Sequence, residues 1–228
     1  MVGYELHGSV ATITMDDGKV NALSARMLQT LGEALDRAET DRAIVVLTGR
    51  PGIFSAGFDL QTLRAGGAEA VQMLKAGFEL AERLLSFPTP VVVACSGHAI
   101  AMGSFLVLSA DYRVGVSGDF RITANEVAIG LTMPRAAIEI CRQRLAPAQF
   151  NRAVLLAEVF SPEDAVKAGF LDQVVGPAQL STASAAAAHR LAALDLQAHL
   201  STKQRVRSTF LRELRAAIEE DDADLTRQ

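Results

Sequence analysis

The chain has 228 residues, half of them hydrophobic, and a formal net charge of -4. That length can bury one sizeable core, and the mild acidity excludes a broad phosphate-neutralising surface, so no nucleic-acid partner is expected. No apolar run is long enough to span a bilayer, and "MVGYELHGSVATITMDDG" lacks a basic stretch followed by an apolar one, so we expect no membrane association and a soluble, cytoplasmic protein.

"SVATITMDDGKV" alternates with period two and breaks at Asp16, Asp17 and Gly18, which predicts a strand running into a tight turn. Ser24 is placed to cap a helix carrying Leu28, Leu31, Leu35 and Ala38 on one face. "AIVVLTG" reads as a buried strand and "RPGIFSAGFDL" as the loop after it. Val71, Leu74, Phe78, Ala81 and Leu85 fall at helical spacing, and Pro88 and Pro90 end that helix before a second buried strand, "VVVACSG". Cys95 lies in that strand and Cys141 in a later apolar segment, without CxxC spacing, so both read as reduced, buried thiols and no metal site is expected. "HAIAMGSFLVLSA" reads as a helix entered through small residues, and "YRVGV" as a third strand. Strands alternating with helices predict an α/β fold with parallel pairing.

Beyond about residue 176 the composition changes. Residues 181–220 are alanine-rich, continuously helix-prone and free of proline and glycine. Such a tail must pack on the core or on another subunit. The expected division is a core over residues 1–176 and a helical region over 177–228. The basic cluster from Lys203 to Arg215 has acidic neighbours and reads as the solvated face of a helix.

Chemistry has few places to sit. The loops "GRPGIFSAGFDL" and "SGHAIAMGSFL" follow buried strands, where free backbone N–H groups collect. Neither is a nucleotide signature, since no GxxxxGK[ST] is present and no GxGxxG opens a helix. Glu126 stands out in the nearly apolar "ITANEVAIGLTMPRAAI", with Asn125 before it. Its structural alternative is an ion pair with Arg113, Arg121 or Arg135.

Taken together, "NAL" at 21 to 23, "FSAGFDL" at 54 to 60, "GHAIAMGS" at 97 to 104, "SADYRV" at 109 to 114 and "NEVAIGLTMP" at 125 to 134 resemble the crotonase superfamily of acyl-CoA enzymes, the enoyl-CoA hydratase/isomerases. The motifs run in that family's order and spacing to about residue 176. The resemblance implies a crotonase-like spiral of strand-strand-helix units and a helical C-terminal region that mediates assembly into a homotrimer or hexamer. It implies an acyl-CoA thioester as substrate, with coenzyme A part of that substrate and no separate cofactor. The thioester oxygen is then held by the N–H groups of Ala56 and Met102. Relatives mostly have glycine where Met102 stands; only its N–H is needed, so the donor survives while the side chain narrows the pocket. Ala22, Ser55 and Ala56 are expected along the coenzyme, Leu60 at the thioester end, and Lys203 or Arg64 at the phosphates.

Removing a proton beside a thioester carbonyl builds charge on its oxygen, and preset donors there are worth about 3 kcal/mol each. The family's hydratases use two glutamates. Here one position holds Glu126 and the other holds Phe105. Moving a double bond needs one group that takes and returns a proton, whereas adding water is easiest with two. The pattern is therefore similar to the 3-enoyl-CoA to 2-enoyl-CoA isomerases, with Phe105 expected to raise the pKa of Glu126. Asp111 reads as structural, through capping or pairing with Arg113, and Asp59 as fixing its loop. The alternatives are a hydratase working with Glu126 alone, a serine hydrolase, and a non-catalytic acyl-CoA binder. The hydrolase reading is weak, because Ala101 stands where the related spiral-fold serine proteases hold serine, and neither Ser104 nor His98 matches their places.

Overall fold

The period-two segment near the N-terminus folds as a hairpin. In the computed structural model, which describes residues 1–227, β1 (Val2–His7) pairs antiparallel with β2 (Val10–Met15). The expected turn follows, held by Asp17, whose carboxylate accepts from the amides of Lys19, Asn21 and Ala22. Ser24 accepts from Met27 N–H and caps α1 (Ala25–Thr40), which buries Leu28, Leu31, Leu35 and Ala38.

Three strand-strand-helix units come next. β3 (Ile44–Thr48) and β4 (Gly52–Ser55) lead into the short α2 (Leu60–Ala65) and the long α3 (Gly67–Ser86). β5 (Val91–Cys95) and β6 (Gly97–Ile100) lead into α4 (Met102–Leu108). β7 (Tyr112–Val116) and β8 (Ile122–Thr123) lead, through a 3-10 turn at Val127–Ile129, into α5 (Arg135–Arg144). After α6 (Pro147–Val154) and α7 (Pro162–Ala168), β9 (Gln173–Val175) completes the larger sheet. Its order is β1-β2-β3-β5-β7-β9, and a smaller sheet has the order β4-β6-β8. Every pairing from β2 onward is parallel. Each unit thus gives one strand to each sheet, which is the expected α/β spiral.

Three sequence expectations need correction. The segment "RPGIFSAGFDL" is not all loop, because β4 forms within it by pairing with β6. "HAIAMGSFLVLSA" is a strand and then a helix, divided at Ala101, whose φ of +51° a helix cannot accommodate. The C-terminal tail is two helices, α8 (Leu180–Ala192) and α9 (Leu196–Thr226), and Asp195 caps the second by accepting from Ala198 N–H. α8 lies on β3, β5 and β7, while α9 crosses α3 and α5. No helix of the described residues is long and apolar enough to cross a membrane.

The basic stretch of α9 is not simply solvated. Lys203 and Arg207 are only 6% and 7% exposed. Lys203 Nζ donates to Asp111 Oδ2 at 2.6 Å and to the carbonyls of Phe87 and Thr89, and Arg207 lies 2.9 Å from Asp111 Oδ1. Lys203 is therefore a buried tie between α9 and the core, with its three protons committed, and is not placed to meet a phosphate. Asp111 pairs with these two cations rather than with Arg113, whose partner is Asp172 at 2.6 Å. Burial holds the Lys203 pKa below its usual value despite Asp111.

Candidate active site

Because β4, β6 and β8 are parallel neighbours, the segments leaving their C-terminal ends emerge side by side. Ser55 is in register with Ala99, and Ile100 with Thr123. Residues 56–59, 101–103 and 124–126 are thereby brought together, although they are far apart in the chain. The approach of the first two is close. A Cβ at Gly103 would lie 2.5 Å from Ser55 O, and one at Gly57 would lie 2.9 Å from Ile100 O and 3.3 Å from Met102 N. Only glycine permits that contact. Ala101 N–H donates to Thr123 O at 2.9 Å, which ties the second segment to the third.

Buried Asn21 anchors the arrangement. Its side-chain amide donates to the carbonyls of Met15 and Phe54, and its own carbonyl accepts from Ser55 Oγ. Ser55 Oγ in turn accepts from Gly57 N–H. Ser55, expected along the coenzyme, is instead wholly buried as a strut of the loop. Ala22 has its N–H on Asp17 and its carbonyl on Ser24 N–H.

The donor geometry corrects the sequence expectation at one position. Ala56 N–H already donates to Val20 O at 3.0 Å, so it is not available to a ligand. Gly57 N–H is taken by Ser55 Oγ at 3.1 Å. Phe58 N–H is the first amide of this loop with no partner among the described residues, and Met102 N–H, at the start of α4, also has none. Which amides of this loop lack a partner depends on Val20, whose role no local pattern reveals.

Glu126 follows β8 by three residues and is 8% exposed. It is the one buried carboxylate among the described residues, and its Oε2 is buried without a hydrogen-bond partner. None of the three arginines considered for it forms that pair. Arg113 pairs with Asp172, Arg135 with Glu220, Asp221 and Asp224, and Arg121 joins no ion pair among the described residues. Burial pushes the Glu126 carboxyl up to about 7. A carboxyl with that pKa is protonated in acid and able to accept a proton only as the pH rises through about 7. An NMR titration of the Glu126 carboxyl checks this.

Phe105 is 1% exposed. Its ring stacks on Phe78 at 6.3 Å, and Phe78 meets Phe58 edge-on at 6.0 Å. The Met102 side chain is fully buried. On the outside, Leu60 is 51% exposed, and Arg64 is exposed with no ion pair among the described residues. Asp59 caps α2 through Gln61 N–H, Thr62 N–H and Thr62 Oγ1 rather than holding the preceding loop. Two surface hollows, of about 410 and 490 Å³, lie elsewhere, one beside Asp111 and Lys203 and one between α5 and α9. The first is floored by cations already paired with Asp111.

Residues 5–227 match the family model described as enoyl-CoA hydratase/isomerase. The chain is 49% identical to an enoyl-CoA hydratase/isomerase family protein of Pseudomonas syringae, with a TM-score of 0.97 over 98% of this chain and 97% of that one. It is 46% identical to a crystallised enoyl-CoA hydratase of Mycobacterium ulcerans, with a TM-score of 0.94 over 97% and 98% of the two chains. It is also 29% identical to the human mitochondrial enoyl-CoA delta isomerase 1, over 99% of this chain and 75% of that protein.

Proposed function

Since the chain belongs to the enoyl-CoA hydratase/isomerase family, we propose that it shifts the double bond of a 3-enoyl-CoA to the 2-position, with Glu126 as the acid and base. The observation that carries this reading is that the buried carboxylate stands alone, with the aromatic ring of Phe105 in the second acid position. Relatives bear both hydratase and isomerase names, so the choice rests on that chemistry.

Glu126 takes a proton from C2. The C2–H electron pair becomes the C1–C2 double bond as the carbonyl pair moves onto the thioester oxygen. The N–H groups of Phe58 and Met102 stabilise that oxygen, each contributing about 3 kcal/mol where such donors have been removed in comparable sites. Glu126 then returns the proton to C4. The C3–C4 π pair forms the new C4–H bond, the C1–C2 pair shifts to make the C2–C3 double bond, and the oxygen pair re-forms the carbonyl. The proton balance closes within one side chain, and coenzyme A enters and leaves with the substrate. In this reading Ala22 lies along the coenzyme and Leu60 at the thioester end, and exposed Arg64 is the cation left for the coenzyme phosphates. Val127, Ile129 and Leu131, which are 45%, 51% and 49% exposed next to Glu126, form an apolar rim that a homotrimer or a hexamer of two trimers would cover.

Product analysis with both substrates tests the proposal. The purified enzyme should convert 3-enoyl-CoA to 2-enoyl-CoA and form little 3-hydroxyacyl-CoA from 2-enoyl-CoA. Comparable or faster hydration would sink the isomerase reading in favour of a hydratase.

A further inference from the structure

Gly77 lies in the middle of α3, buried, in a 20-residue helix where glycine is a poor helix former. Its place is explained by what faces it. A Cβ built there would lie 2.4 Å from Phe58 Cε1 and 2.5 Å from Phe58 Cζ, and 3.7 Å from Met102 Cε. The side chains of the two residues with free amides therefore rest on the same bare patch of helix.

We propose that Gly77 is a positioning residue: the missing side chain lets the Phe58 ring dock on α3 and so fixes the direction of the Phe58 N–H. The inference rests on reading the Phe58 and Met102 amides as the oxyanion donors, and it holds for either reaction of the family. The ring has little freedom to yield inward. Phe78 meets it edge-on at 6.0 Å, and Phe105 backs Phe78 at 6.3 Å. The backbone on either side is also held. Gly57 abuts Ile100 O and Met102 N, and Asp59 is fixed by Thr62 and Gln61. A methyl group at position 77 must push the half-buried ring outward and turn the intervening peptide with it. A misplacement on the order of 1 Å at a catalytic group can cost about 10²-fold in rate.

The test is a double-mutant cycle. Gly77→Ala should lower kcat by about 10- to 100-fold with KM changed by less than about threefold, its Tm set by alanine's helix preference against the crowding of the Phe58 ring. In a Phe58→Ala background, where the backbone N–H remains and the ring is gone, the same methyl should change kcat by less than about twofold. A second readout is independent of turnover. Bound acetoacetyl-CoA, whose enolate absorbs in the near ultraviolet, should show a smaller enolate fraction in Gly77→Ala at saturating ligand. Unchanged kcat and enolate fraction, or equal losses in both backgrounds, would overturn the proposal. If Gly77→Ala is insoluble, a soluble double variant still places the collision at the Phe58 ring, and an insoluble one overturns it. Failure of the isomerase reading would appear separately, as 3-hydroxyacyl-CoA formed by the wild type from 2-enoyl-CoA at a comparable or faster rate.

Discussion

Glu126→Gln is expected to lower turnover of 3-enoyl-CoA by about 10²-fold or more while the thioester still binds. Glutamine keeps the shape and the neutral charge of the protonated acid but cannot accept the C2 proton. The same variant should be more stable than wild type at pH 8. The carboxyl titrates at about 7 when folded against a model value of 4.5, so between those values the folded state holds a proton that the unfolded state has lost. Stability from this group is therefore present below about pH 4.5 and is lost as the pH rises through about 7. The loss amounts to roughly 3 kcal/mol, and glutamine escapes it. Thermal melts of both proteins at pH 5 and pH 8 should show the Tm gap widening in base. Wild-type turnover in the variant would make Glu126 a bystander.

Asp111→Asn should destabilise the fold by about 3–5 kcal/mol, because it leaves Lys203 and Arg207 buried without their counter-charge. For a chain of this size that is a fall in Tm of about 10 °C. Asp111 also accepts from Val91 N–H, so the change loosens the start of β5 together with the α9 contact. Melts at neutral pH decide it, and a shift under about 2 °C would mean that water reaches the two cations.

What could be read from the sequence was what local pattern controls. β3, β5 and β7 are β-branched runs bounded by turns or prolines, α1 has a cap and an apolar stripe, and Glu126 is conspicuous because its neighbours are apolar. The strands β4 and β6 were hidden because they are four residues each, contain glycine, and exist only through pairing with each other and with the two-residue β8. The division at Ala101 was hidden for the same reason, since a positive φ leaves no mark in an alanine codon. Lys203 looked like a surface cation because its partner, Asp111, is 92 positions away. The free amide fell at Phe58 rather than Ala56 because Val20 O occupies the latter. In each case the deciding contact joins residues distant in the chain, which periodicity and capping rules do not reach.

Isotope transfer offers the most direct trial of the shared-proton mechanism. A 3-enoyl-CoA deuterated at C2 would be turned over once in ordinary water, and the position of the label in the 2-enoyl-CoA read by NMR or mass spectrometry. With Glu126 only 8% exposed, the deuteron it takes from C2 should be returned before it exchanges, so a measurable share of product carries deuterium at C4. Product whose C4 hydrogen comes entirely from solvent would contradict a single buried carboxylate carrying the proton between the two carbons.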